Sequence, residues 1–569
     1  MLLWFLLLLS SWPLLTLTIA VQCPPASTQL VRDASGISQK ELSYFTARKQ
    51  NADRKLHEWL RKVTTRPVFP DSASKPPPWG DFELEWTTLP SVALASSGGG
   101  YRALLAGAGV VKGLDSTEKQ DKGHGGLGGL YQALTYHAGL SGGAWLVASM
   151  ASNDWPNITT LKDGLWKSRF PQGVFVPGTN LAQEMQHDAL IREDVQQKEN
   201  AGYDTTMTDP WGRLLSYQLF EGGITQSNNT LSNLAGKSKF KDHAVPYPIM
   251  TAILASSEHP CDISPSNTQI EMHPFEWGSW DEGVHAFTDP AYLGTVLKYG
   301  KPVNLAPLGK PECMAGFDDL GYIMGTSSNI FTFACSHNMS LSEISPLGAV
   351  VLEEMMPGSR APNVHDLFAS YINPFRMRYA SKEVTHEAEL LLTDGGLSDH
   401  NCPIWPFIQP ARAKTVDVLI VNDNSADVNH FPNGTAIYNT FLRARKVGLT
   451  RMPTIPPPEK FVTKGFNARG VFFGCDEPDT LTIIYLPNAE FSHPSNQDTL
   501  KVQYSAEEID GMIENGVKTA RQGTIMPKGW DVCVACAIMK KSNARLSDIC
   551  LECFNKYCFR YGEHKMFSR

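Results

Sequence analysis

Short apolar runs bounded by turn-forming residues recur along the chain, at Val92 to Ala95, Ile249 to Ala255, Leu390 to Leu392, Val416 to Val421 and Leu481 to Leu486. Their length and flanks are those of buried strands. Between them lie segments of helical character, Tyr101 to Leu114 and Ala144 to Met150. This alternation predicts an α/β fold, with a central mixed, mainly parallel sheet flanked by helices. Such sheets carry their chemistry at the carboxyl ends of the strands. No internal repeat or Ser/Gly linker divides the chain, and Pro-rich Ser74 to Gly80 and Thr454 to Lys460 read as rigid surface connections.

The first twenty residues carry no charged side chain, hold a leucine-rich run and end in small residues at Thr18 and Ala20. They read as a secretory signal cut after about Ala20, leaving 21–569 as a single domain. Pro13 and the Ser10-Ser11 pair interrupt the run, which argues against a spanning anchor. The terminal YGEHKMFSR has no apolar tail of the kind exchanged for a lipid anchor. Secretion agrees with four N-x-S/T sequons, beginning at Asn157, Asn228, Asn338 and Asn433, and with eleven cysteines. Five of these lie between Cys533 and Cys558, making a cysteine-rich segment at about 530–560. The C-x2-C pairs there resemble a zinc ribbon, but the gap between them is short for one and an oxidising route favours disulfides. The odd total leaves one cysteine over. A net charge of -8 argues against a nucleic-acid partner, whose phosphodiester backbone normally requires a basic protein surface.

Three stretches carry candidate chemistry. Gly139-Leu140-Ser141-Gly142-Gly143 fits G-x-S-x-G, in which a serine in a tight strand-to-helix turn needs neighbours without Cβ atoms. Ser141 would then stand at a helix N-terminus, where free N–H groups favour developing negative charge. In Ser91 to Val111 a strand runs into Gly98-Gly99-Gly100 and then a helix. Gly99 and Gly100 are candidates for an oxyanion hole, whose donors are worth about 3 to 4 kcal/mol each. Neither G-x-G-x-x-G nor the P-loop pattern is completed there. Arg102, just beyond, offers a forked cation suited to phosphate.

In Glu389 to Phe407 the third candidate, Asp394, ends an apolar strand and precedes two glycines. Two mechanisms stand open on these residues. Asp394 serves as the direct base for Ser141, or it orients His400 or His430 in a Ser/Asp/His triad. His137, four residues before Ser141, lies roughly 13 Å away if the segment is a strand, and belongs to the packing below the site.

Taken together the three stretches resemble the fungal lysophospholipase/phospholipase B family, similar in turn to the cytosolic phospholipase A2 catalytic domain and, more distantly, to patatin. His273 to Thr295, Gly321 to Phe331 and the cysteine-rich tail share the resemblance, which runs from about Cys23 to Tyr561. It implies a lysophospholipase catalytic domain over 21–569, with Ser141 as nucleophile, Asp394 as base, Gly99 and Gly100 as oxyanion donors and Arg102 on phosphate. No histidine enters such a dyad. The substrates implied are lysophospholipids and diacyl phospholipids at a lipid interface, with no cofactor, no metal and no C2-driven recruitment by calcium. Ala144, where serine is expected, and His137, where an apolar residue is usual, depart from the pattern without touching the proposed roles. The competing readings are a secreted Ser/His/Asp carboxylesterase or neutral lipase, and a non-catalytic lipid-binding or storage glycoprotein.

Overall fold

A computed structural model describes residues 19–25, 28–64, 89–118, 126–225, 229–303, 312–359, 362–524, 526–527, 529–542 and 546–560. The signal-like residues before Ile19, the Ser74 to Gly80 segment and the Asn228 sequon lie outside them. Twelve strands make one sheet: β1 (Val31–Asp33), β2 (Val92–Ser96), β3 (Leu134–Leu140), β4 (Tyr247–Leu254), β5 (Gln269–His273), β6 (Glu276–Ser279), β7 (Ala286–Thr288), β8 (Ala369–Ile372), β9 (Glu389–Thr393), β10 (Val418–Asp423), β11 (Val471–Phe473) and β12 (Thr482–Pro487). Its spatial order is β11-β12-β10-β2-β3-β4-β5-β6-β7-β1, with β8 and β9 joined to it through β4. The run β12-β10-β2-β3-β4 is parallel and the remaining pairings are antiparallel. All five predicted strands and both predicted helices are present, each shifted by two residues or fewer.

The parallel centre is apolar on both faces, as a doubly covered sheet requires. Every residue of β2, β3, β4 and β10 is buried. The helices that matter for the site are α1 (Gln39–Thr64), α2 (Gly100–Leu114), α3 (Gly142–Ser152) and α4 (Ala506–Arg521). α2 follows β2 and α3 follows β3, so both begin at the carboxyl edge of the parallel strands. α2 is held there by α4, which crosses it backbone to backbone. A Cβ on Gly109 would overlap the Ile513 carbonyl oxygen and press on the Gly516 Cα at 2.6 Å.

One interruption in the sheet decides where the chemistry falls. β3 pairs with β4 only as far as Leu140 opposite Thr251, then turns off into α3. The edge of β4 that it vacates is taken by β9 from the opposite direction, with Thr393 opposite Ile253 and Leu392 opposite Leu254. The ends of β3 and β9 therefore point at each other.

The Thr454 to Lys460 connection is not wholly a surface element, since Ile455 is buried in the core and helix Pro458–Thr463 begins within it. A two-stranded ribbon of Ile19–Gln22 with Glu312–Ala315 lies apart from the main sheet. Cys23–Cys313 fastens it, and Cys261–Cys335 ties the loop after β4 to helix Thr332–Ser336. In the tail, Cys533–Cys553 and Cys536–Cys550 cross-link the helices Trp530–Met539 and Asp548–Tyr557, while Cys475–Cys558 anchors the last helix to the sheet. The paired C-x2-C motifs are thus disulfides, and the cysteine left over is buried Cys402. Denatured without reductant and treated with an alkylating reagent, the chain takes up one equivalent, on Cys402. Labelling at Cys533, Cys536, Cys550 or Cys553 in a peptide map would refute this pairing.

Candidate active site

Ser141 occupies the turn between β3 and α3 with φ 51° and ψ -121°, a conformation that L residues rarely adopt and that the surrounding structure must enforce. Enforcement is visible on three sides. The Ser141 N–H donates to Ser327 Oγ at 2.9 Å, and that hydroxyl donates to the Thr251 carbonyl at 2.7 Å. Gly142 packs so closely that a Cβ on it would overlap the Gly100 carbonyl oxygen, and one on Gly98 would stand 3.0 Å from the Ser141 Cβ. The N-termini of α2 and α3 thereby converge on Ser141.

The Gly98 N–H is consumed by the Asn401 carbonyl at 3.0 Å. Gly99 is the N-cap of α2 and Gly100 its first residue, positions whose N–H groups have no intrahelical acceptor. Gly99 lines the cavity above Ser141; Gly100 lies one residue behind it, turned toward the Thr499 carbonyl.

Asp394 follows the last residue of β9; its carboxyl accepts the Gly396 N–H at 2.8 Å and lies close enough to the Ser141 side chain for that hydroxyl to favour its ionised form. Only 5% of the residue is exposed. Loss of hydration disfavours the carboxylate and pushes its pKa up to about 6, although Ser141 and Gly396 pull the other way. Neither histidine considered for a triad is hydrogen-bonded to this pair. His400 is buried with Nε2 on the Pro265 carbonyl at 2.9 Å and Nδ1 on Thr440 Oγ1 at 3.1 Å, and burial depresses its pKa to about 4. His430 faces Asp498 at 3.8 Å. Neither lines the cavity. His137 sits within β3 as expected, with Nε2 on Ser96 Oγ at 3.0 Å and its pKa lowered by burial to about 3.

Arg102 is buried on the first turn of α2. Its Nε donates to the Asn424 carbonyl at 3.0 Å, and its Nη1 to the Gln497 carbonyl at 2.6 Å and to Thr499 Oγ1 at 3.0 Å. Among the described residues Nη2 has no hydrogen-bond acceptor and lies beside Gly99. Burial lowers the guanidinium pKa to about 10, which leaves it charged at neutral pH. Ser141, Asp394, Gly99 and Arg102 all face one cavity of about 370 Å³. That is within the size range of small-molecule sites.

Three residues were missed from sequence. Ser327 fixes the Ser141 amide, Asn401 clamps Gly98 from both its carbonyl and its Nδ2, which reaches the Gly98 carbonyl at 3.1 Å, and Asp427 lines the cavity. Ser327 and Asn401 lie inside stretches noted above, but neither forms a motif with local spacing. Of the sequons, Asn338 is exposed, while Asn157 and Asn433 are half-buried and cap neighbouring backbone. Two groups among the described residues have metal-ligand geometry, Glu41/His273/Glu276 and Asp204/His365/Glu389, and both stand apart from the cavity.

Fold and site together define an α/β protein with a serine and a buried carboxyl facing one cavity at the ends of its central strands, and comparison with known proteins bears on its class. The model of the lysophospholipase catalytic domain matches residues 92–563. Lysophospholipase 1 of Saccharomyces cerevisiae is 35% identical over 565 residues, covering 93% of this chain and 81% of that protein. Lysophospholipase 3 of Candida albicans is 34% identical, covering 95% and 74%. The chain belongs to the lysophospholipase family. Among solved structures, human GIVD cytosolic phospholipase A2 superposes with a TM-score of 0.66 at 16% identity, over 92% of this chain and 71% of that one, a likeness of fold.

The elevated pKa of Asp394 has a thermodynamic consequence. The folded chain holds this proton more tightly than the unfolded one, so the ionised carboxylate weakens the fold above about pH 6 and costs nothing below about pH 4. Asp394→Asn is expected to raise stability by up to about 3 kcal/mol at pH 8, with the gain vanishing near pH 4. Paired thermal melts at the two pH values test this; a destabilised variant at pH 8 would contradict it.

Proposed function

We propose that this chain is a secreted lysophospholipase of the phospholipase B type, releasing fatty acid from lysophospholipids and from diacyl phospholipids through a Ser141–Asp394 dyad. The observation that carries this reading is that the Ser141 side chain and the buried Asp394 carboxyl face one cavity, close enough for Ser141 to lower the Asp394 pKa, at the junction of two helix N-termini. Asp394 accepts the Ser141 proton as Oγ bonds to the ester carbonyl carbon. The N–H groups of Gly99 and Gly100 take the oxyanion. Collapse breaks the acyl C–O bond, and the proton held by Asp394 passes to the departing glycerophospho alcohol. Water then gives its proton to Asp394 and attacks the acyl-enzyme, and the returning Ser141 hydroxyl closes the cycle. Arg102 orients the phosphate through its free Nη2.

Secretion with removal of residues 1–20 is supported by the uncharged N-terminal run and five disulfides, which suit an oxidising compartment. No helix among the described residues is long and apolar enough to cross a membrane.

Fatty-acid release from lysophosphatidylcholine by the purified protein tests the reading. Ser141→Ala and Asp394→Asn should each lower turnover by about four orders of magnitude or more, as removal of members of a catalytic unit does elsewhere. On the acid side kcat/KM should fall with an apparent pKa of about 6. An imidazole base near 6.5 would give almost the same limb, so the deciding arm is substitution: folded His400→Gln and His430→Ala variants should keep most of the activity. Near-total loss in either one would replace the dyad by a triad.

A further inference from the structure

The cavity holds more carboxyl groups than the proposed chemistry uses. Its titratable lining consists of Arg102 against Asp394, Asp399 and Asp427. Asp394 is committed to Ser141, which leaves Asp399 and Asp427 without a catalytic task. Asp427 Oδ2 accepts the Asn433 N–H at 2.8 Å, a backbone contact that orients the carboxylate without neutralising it. Burial and the like charges of Asp423 and Asp399 raise its pKa to about 7, with backbone hydrogen bonds from Asn433 and Thr435 pulling the other way, so a cation seated beside it would draw it into the ionised form. Asp423, behind the wall, has its oxygens taken by the Ser425 N–H at 3.0 Å, the Ser425 hydroxyl at 2.6 Å and the Tyr485 hydroxyl at 2.8 Å. None of these donors is a cation. The Asp399 carboxylate, at the mouth, makes no hydrogen bond among the described residues.

The positive group facing this wall is Arg102, a residue 1% exposed whose Nη2 is open to the same cavity and which feels the fields of both Asp423 and Asp427. An anion bound to Nη2 cancels the one cation and leaves the wall uncompensated. A ligand bearing an anion and, a few bonds away, a cation satisfies both. A free anion or a doubly charged phosphomonoester satisfies only the first and is repelled by the second.

We infer that Asp427, with Asp399 beside it at the mouth, forms a cation subsite that receives the ammonium of a zwitterionic phosphodiester head group while its phosphate meets Arg102. This assignment rests on the lysophospholipase reading above and specifies its head-group selection. Asp427 and Asp399 act on binding, so their effect falls on KM for substrates that carry the ammonium and not on the chemical step.

The test compares 1-lauroyl lysophosphatidylcholine with 1-lauroyl lysophosphatidylglycerol, the same phosphodiester without the amine. Both are kept below their micelle-forming concentrations and assayed with and without EDTA. The wild-type protein should favour the choline substrate in kcat/KM by roughly three- to tenfold, the scale of one partly solvated charge pair. Asp427→Asn should bring the ratio to near unity by raising KM for the choline substrate. Asp399→Lys, at an exposed position whose left-handed backbone (φ 60°) favours Asp or Asn, so that folding is checked first, should invert it. An unchanged ratio in folded Asp427→Asn and Asp399→Lys overturns the subsite, as does a wild-type preference that disappears in EDTA, which would assign the wall to a metal ion. Wild-type protein that cleaves both lipids equally removes the subsite and leaves the lysophospholipase reading intact. Wild-type protein that cleaves neither removes both.

Discussion

The hydrogen-bonding edge of β4 is the constraint on which the site depends. A central strand cannot leave its edge unpaired in a dry core, because each orphaned backbone group costs about as much as a lost hydrogen bond. β3 serves that edge up to Thr251 and then departs, since Gly142 and Gly143 allow the chain to turn into α3. Something must satisfy Ile253 and Leu254, and β9 does so from the opposite direction. Ser141 and Asp394 are the first residues beyond these two strand ends. Their meeting is a consequence of sheet completion, and the 253 positions separating them in sequence are bridged by backbone pairing that would be required even without catalysis.

Burial then sets the electrostatics. The same dry environment that removes water from Asp394 raises its pKa to about 6, so that it accepts a proton more readily than an ordinary aspartate does. The cost is borne by the fold, and it is limited by the Ser141 hydroxyl and the Gly396 N–H. Two helix N-termini supply positive potential at Ser141 without adding a titratable group. Their approach relies on α4, which clamps α2 through the Gly109–Gly516 contact. His400 shows the opposite solution: both ring nitrogens are engaged and its pKa is lowered by burial, so it packs between Pro265 and Thr440 as a structural group.

What was legible in the sequence follows from the range of the interactions involved. The apolar runs of β2, β9 and β10 and the strand-to-helix turns at Gly98 and Ser141 are written in consecutive residues, and they appear where the pattern put them. Four of the five candidate residues are at those turns or on the first helical turn beyond them, and Asp394 stands at the end of β9. Illegible features depend on pairing across the fold. The antiparallel half, β5 to β7, has polar residues such as Glu271 and Glu276 on buried positions. Arg412 offsets the first through Nη1 at 2.8 Å and Arg32 the second, and no local pattern announces such partners. Ser327 and Asn401 act through single long-range hydrogen bonds. An unperturbed aspartate, with a reference pKa of about 3.9, would work as a base well into the acid range; burial, which composition does not report, moves the limb upward.

The cavity has one stiff wall and one lighter wall, and this bears on how substrate would be held. On the stiff side Ile330 and Phe333 follow Asn329, whose side chain donates to the Leu367 carbonyl at 2.9 Å and whose carbonyl accepts from Thr393 Oγ1 at 2.9 Å. Thr332 and Thr393 hydroxyls meet at 2.5 Å, and Cys335 on the same short helix is bonded to Cys261. This apolar wall is therefore tied to β9 itself, one residue from Asp394. A chain packed against Ile330 and Phe333 is registered to the base by the two hydrogen bonds at Thr393, while the Cys261–Cys335 disulfide and the Asn329–Leu367 hydrogen bond hold the wall to its other neighbours. The other side, Ile344 and Leu500, belongs to the short helix Leu341–Ile344 and to a loop in which Leu500 is 41% exposed. Preorganisation is thus concentrated where reacting atoms must be placed to within a fraction of an ångström, and the lighter wall is left to accommodate apolar bulk, for which area matters more than position.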